Sequence, residues 1–178
     1  MQIGATRRTI FTAALVVLAT LAGPGIARTQ PGAPTIGVDA PQWTVFSDPL
    51  GTTVDYPENI FSADAGSTPR GIGRVLRSAD DRASLMIYVE DNEARHTPAS
   101  FMRAYLTAPR GQLDYNRVTT RFFAISGVND DQIYYSRCNF PSGVRGPAHC
   151  IYLAYPKEEE RRWDAIVTRI SRSLRPSG

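Results

Sequence analysis

From residue 43 onward, apolar and polar positions come in short bursts of strand character, interrupted by two stretches with a helical period. Trp43-Thr44-Val45-Phe46 and Thr52-Thr53-Val54-Asp55-Tyr56 are β-prone runs on either side of Ser47-Asp48-Pro49-Leu50-Gly51. Pro sets φ for a turn and Gly accepts a positive φ, so this pattern predicts a hairpin. Pro57 lacks the amide donor that a continuing ladder requires and ends the second strand, while Phe61 is expected to return its ring to the core. Gly66 to Gly73 reads as a loop. Ile72 to Arg77 and Leu85 to Val89 then flank Ser78-Ala79-Asp80-Asp81-Arg82 as a second hairpin. Leu85-Met86-Ile87-Tyr88-Val89 is apolar throughout, which predicts a place near the sheet centre with both faces covered.

Glu90 to His96 is a charged loop, and Thr97-Pro98 supplies a hydroxyl cap followed by Pro at the first helical position. Phe101, Met102, Tyr105 and Leu106 fall at helical spacing behind it, and the helix should stop before Pro109 and Gly111. Tyr115 to Ile125 reads as one strand, turned at Gly127 to Asp131 into Gln132 to Phe140. His149 to Tyr155 follows and ends at Pro156. In Lys157 to Leu174, Trp163, Ile166, Val167, Ile170 and Leu174 make one apolar stripe. Acids gather toward its start and arginines toward its end, matching the helix dipole, so its charges read as a solvated face. The predicted fold is α+β: an antiparallel β-sheet of about six to seven strands with two helices packed on it.

Composition changes the picture at the N-terminus. Arg7 and Arg8 precede the apolar run Ile10 to Leu21, and Gly25-Ile26-Ala27 supplies small residues suited to cleavage. That order predicts an export signal over residues 1–27, too short in its apolar part for a comfortable membrane span. Paired arginines also suit the twin-arginine route, although the ordinary secretory route is favoured. Residues 28–42 read as a flexible lead-in and 43–178 as a single domain. Removing the leader's two arginines leaves 18 basic against 17 acidic residues, a net charge of +1. The arginines are scattered among acids, which argues against a nucleic-acid partner.

Candidate chemistry is sparse. Cys138 to Cys150 spans both cysteines and one of the two histidines. Adjacent His149 and Cys150 point to opposite faces of a strand, which disfavours a shared metal ion, and two cysteines in an oxidising compartment pair rather than serve as nucleophiles. A hairpin centred on Val144 sets Cys138 opposite Cys150, Asn139 opposite His149 and Phe140 opposite Ala148, so a disulfide is predicted. Glu90-Asp91-Asn92-Glu93 with His96 lacks the alternation and glycine of a calcium loop. Gly71-Ile72-Gly73 precedes a strand rather than a helix and so lacks phosphate-cradling geometry. No catalytic, cofactor or metal residues are expected. Strand alternation predicts that, with Phe122 and Tyr134 facing the core, Phe123 and Tyr135 face away. They then form either a second small core under the first hairpin or an exposed patch. Phe123, Tyr135, Arg145 at the loop tip and His149 at its base are the candidate partner surface.

The succession of the Trp43 strand, Thr52 to Pro57, Leu85 to Val89, Phe122 to Gly127, Ile133-Tyr134-Tyr135, Tyr152 to Pro156 and the Trp163 helix resembles the PsbP/DcrB-like family of small exported α/β sandwiches. The resemblance implies a domain that binds proteins or supports an assembly, and it carries no catalytic residues to this chain. The expectation is therefore a monomeric, exported, non-enzymatic binding or assembly-support domain of the bacterial envelope. An unidentified envelope protein is its partner, and the mature chain is not inserted in a membrane. The alternative is an enzyme or small-ligand carrier whose site is assembled from distant residues.

Overall fold

The computed structural model describes residues 40–105 and 113–176, so the leader and most of the lead-in lie outside the described residues. Ten strands and two helices follow one another: β1 (Trp43–Ser47), β2 (Thr52–Pro57), β3 (Ala63–Ser67), β4 (Ile72–Arg77), β5 (Ser84–Glu90), α1 (Pro98–Tyr105), β6 (Leu113–Val118), β7 (Phe122–Asn129), β8 (Gln132–Asn139), β9 (Ala148–Pro156), α2 (Glu160–Ser173) and β10 (Arg175–Pro176). Seven strands form one antiparallel sheet in the order β3-β4-β5-β9-β8-β7-β6, and β1-β2-β10 form a second, smaller one. This is the predicted α+β sandwich, with the first hairpin in a sheet of its own.

Two apolar layers flank the large sheet. On one face, Leu85, Ile87, Ile151 and Leu153 pack against Trp163, Ile166 and Ile170 of α2 and against Val54 of β2. The predicted helical stripe is buried along its whole length, from Trp163 to Leu174. Phe61 returns to this core as expected, its ring centroid 5.8 Å from that of Trp163. The other face packs Phe123, Ile125, Cys138 and Cys150 with Phe101 of α1 and with Phe140. Thr97 caps α1 by accepting the Ser100 amide at 3.2 Å.

Four predicted elements change. Tyr115 to Ile125 is two strands, β6 and β7, because the Thr119 hydroxyl accepts the amides of Arg121 and Phe122 and turns the chain without glycine or proline. The following hairpin turns at Asp130–Asp131, with Asn129 opposite Gln132 and Asp130 in the left-handed region at φ 53°. β3, which the sequence pattern does not predict and of which only Gly66 and Ser67 fall in the predicted loop, pairs with β4 despite its weak β propensity, through a register shift between Asp64 and Ser67. The run Leu85 to Val89 lies beside the central strand β9, and only its Leu85, Ile87 and Val89 face is fully buried.

Candidate functional site

Cys138 and Cys150 are directly opposed in the β8–β9 ladder and joined by a disulfide, with Cα atoms 4.1 Å apart. Both are buried beneath α1. Asn139 pairs with His149 as expected, but the ladder ends there. The Phe140 amide donates instead to the Arg121 carbonyl at 2.7 Å. The loop beyond carries a short 3-10 turn, Gly143–Arg145, tied to the preceding connection by Asn92, whose side-chain amide donates to the carbonyls of His96 and Val144.

The four candidate surface residues do not form one surface. Phe123 is buried under α1, and His149 is buried with its Nδ1 2.8 Å from the Thr52 hydroxyl. Burial holds the His149 imidazole below its usual pKa, with the Asp48 carboxylate opposing the shift. Arg145 is exposed at the loop tip. Tyr135 is half-buried on the α2 side, where its hydroxyl bonds Ser171 at 2.6 Å. The β7–β8 register sets Ser126 opposite Tyr135, so alternation puts Phe122 and Tyr135 on one face and Phe123 and Tyr134 on the other. The expected pairing of Phe123 with Tyr135 is thereby corrected. The second core lies under α1 rather than under the first hairpin.

Tyr135 instead belongs to a groove of about 710 Å³ between α2 and the α2-side face of β6, β7 and β8. Its floor is the row Phe122, Ala124, Ser126 and Val128 of β7, in which two small side chains make the depth. Its wall is one ridge of α2: Glu160, Asp164, Thr168 and Arg172, spaced four residues apart and therefore stacked on one side of the helix. Three polar links along the β8–α2 seam set the helix position: Tyr135 to Ser171, Arg137 Nη1 to Ser171 at 3.4 Å, and Asn139 Nδ2 to the Leu174 carbonyl at 2.9 Å.

The groove is electrically polarised. α2 runs with its start near Val128 and its end near Phe122, since Asn139, opposite Phe122, bonds the Leu174 carbonyl. Glu160, Asp164 and Asp114 therefore gather at one end, with Lys157, and Arg117, Arg137 and Arg172 at the other. Arg117 and Arg137 flank Ala124 on neighbouring strands, and both guanidinium groups lie over the Phe122 ring, 5.5 and 4.5 Å from its centroid. The two groups are thus no more than 10 Å apart. At that limit their repulsion is about 0.4 kcal/mol in bulk water and about four times that at the dielectric of a protein surface. Ring contact offsets part of it. No carboxylate does so among the described residues: every ion pair formed there lies outside the groove. At the acidic end Tyr155 is pushed up to about 12 by burial, with Asp164 and Glu160 adding to the shift, while burial also raises Tyr135. Both phenols keep their protons at neutral pH. Among the described residues no group of three or more His, Cys, Asp or Glu side chains is arranged to hold a metal ion.

This groove was not read from the sequence. The sequence pattern alone gives Phe122 to the core and the α2 charges to a solvated face, and in one continuous strand from Tyr115 to Ile125 Arg117 has no reason to meet Arg137.

Among solved structures, the fold is similar to that of cyanobacterial PsbP (CyanoP) from Synechocystis sp. PCC 6803, with a TM-score of 0.55 over 83% of this chain and 99% of that one. The fold is PsbP-like. Sequence identity over the PsbP-like alignment is 14%, so the likeness concerns the fold alone. No protein-family model matches the chain, and no curated protein matches it.

Proposed function

We propose that this PsbP-like domain is an exported, non-enzymatic binding module of the bacterial envelope, and that the groove between α2 and β6–β8 is its working surface. One observation carries the reading. The charged side chains that line the groove make no ion pairs among the described residues, with Asp114, Glu160 and Asp164 at one end and Arg117, Arg137 and Arg172 at the other. Charges kept unpaired along one concavity are available to a partner's charges. Export is supported by the leader pattern and by the buried disulfide, which suits an oxidising compartment. No helix among the described residues is long and apolar enough to cross a membrane.

A small-ligand carrier is the second reading, favoured by a groove volume within the range of ligand pockets. The two are separated by crosslinking in producing cells with a photoreactive residue in place of Thr168 on the groove wall, Arg145 at the loop tip, or Arg161 elsewhere on α2. A discrete protein adduct from Thr168, absent from the other two positions, is the expected result. Equal adducts from all three, or none from Thr168, would defeat the reading of the groove as a protein-binding surface.

A further inference from the structure

Resting on that reading, we propose that the groove takes an extended peptide segment of its partner, with an acidic residue seated between Arg117 and Arg137 and a basic residue about four to six positions away at Asp164 and Glu160. Length sets the spacing. Along α2, Asp164 to Arg172 spans about 12 Å and Glu160 to Arg172 about 18 Å at 1.5 Å per residue. A strand advances about 3.3 Å per residue, so these distances correspond to about four to six positions.

The chemistry of each end sets the rest. At the basic end, Arg137 is half-buried and pre-oriented: its Nε donates to Asn139 Oδ1 at 2.9 Å, and its guanidinium stacks on Phe122. Two of its donor groups are thus held by neutral acceptors, Nε by Asn139 Oδ1 and Nη1 by Ser171 Oγ. A carboxylate bonding the remaining donors would neutralise the repulsion with Arg117, and the planar fork of arginine matches it in two hydrogen bonds. At the other end Asp114, Glu160 and Asp164 outnumber Lys157. That end repels a polyanion such as nucleic acid or a phosphate-rich chain, and leaves a ligand of mixed charge. Between the ends, Ala124, Ser126 and Thr168 leave room for a backbone and small side chains, with no deep apolar pocket for a bulky anchor.

Selection of random linear dodecapeptides displayed on phage, using the oxidised domain as bait and the Arg117→Ala/Arg137→Ala variant for counter-selection, tests this directly. Enriched peptides are expected to carry an acid and a base four to six positions apart with small residues between. Their affinity, measured by fluorescence anisotropy on synthetic copies, should fall about tenfold in Arg137→Ala, the order expected for losing a charge-assisted hydrogen bond. It should fall again with Asp164→Asn and with added salt. Arg117 is exposed, so Arg117→Ala gives a second variant whose fold is not at risk. Enriched peptides without this charge pattern, or binding unchanged in both arginine variants, overturn the proposal. If no peptide is enriched while Thr168 still crosslinks a protein in cells, the peptide inference falls and the groove reading stands; if Thr168 crosslinks nothing either, both fall.

Discussion

Reducing the Cys138–Cys150 disulfide should lower the stability of the domain by about 3 kcal/mol. The bond closes a loop with a sequence separation of 12, or 13 residues counting both cysteines. The chain-entropy relation for a loop of that size gives about 10 cal/mol/K of lost denatured-state entropy, or about 2.9 kcal/mol at 25 °C. Two features of the structure favour the full effect. The cysteines are directly opposed in a ladder that continues for six further pairs to Gln132 and Pro156, and both sulfur atoms sit in a closed apolar layer. With a urea slope of about 2 kcal/mol/M, the midpoint should fall by about 1.5 M. The assay is urea unfolding followed by fluorescence of Trp43 and Trp163, with and without reductant, and with thiol titration to verify reduction. A Cys138→Ala/Cys150→Ala variant should be weaker still, by about 1 kcal/mol, because deleting two buried sulfurs leaves space in the layer. A reduced protein with both thiols free and an unchanged midpoint would refute the reasoning: the loop would then be equally restricted in the unfolded chain without the bond.

Other perturbations follow from the packing. Stability should decline as pH falls below about 6.5, the ordinary histidine value. His149 is buried with a depressed pKa, so the unfolded chain binds the proton first and the decline ends at the folded-state value. His149→Gln should flatten urea midpoints across that window, and a wild-type midpoint that rises on acidification would contradict the assignment. Gly73→Ala should cost about 1 to 3 kcal/mol, the usual penalty of overpacking. A Cβ there meets the Ile87 carbonyl oxygen and lies 2.6 Å from the Tyr88 Cα, so β4 and β5 must move apart; thermal melts would show it. Ile170→Ala, which empties a fully buried position under α2, should cost about 2 to 5 kcal/mol in the same melts.

Much of the fold was legible because its signals are local. The apolar stripe from Trp163 to Leu174 at helical spacing, the Ile72 to Arg77 run and the opposition of Cys138 to Cys150 depend on a few neighbouring residues, and all three occur as read. What stayed hidden depends on contacts between distant residues. Thr119-Thr120-Arg121 carries none of the usual turn residues, and its turn is held by one threonine side chain. Ala63-Asp64-Ala65-Gly66-Ser67 becomes a strand only because β4 offers an edge. Phe123 and Tyr135 were grouped by counting alternation without knowing that the hairpin turns at Asp130–Asp131. The groove combined these difficulties. A ridge of charges at Glu160, Asp164, Thr168 and Arg172 has the same sequence appearance whether it faces open solvent or walls a concavity, and only the seat of α2 on the sheet distinguishes them.

That seat explains why the sheet has a groove at all. Seven strands about 4.8 Å apart spread over about 29 Å, and one helix is about 10 Å across. On the α2 side the helix packs over β8 and β9, while β2 reaches β5. β6 and β7 are left beyond the helix on that face. Their residues there match the opening: β7 presents Ala124 and Ser126, and β6 presents Tyr115 and Arg117. The opposite face of β7 presents Phe123 and Ile125, which are buried, and α1 packs on that strand. A single strand thus carries core residues where a helix covers it and, on its other face, sets small Ala124 and Ser126 between Phe122 and Val128. An accidental gap in coverage would have left large apolar side chains in water along this row. Instead the row is small and polar at its centre, with arginines held beside it on β6 and β8. The composition therefore suits an open binding groove better than a core that lost its cover.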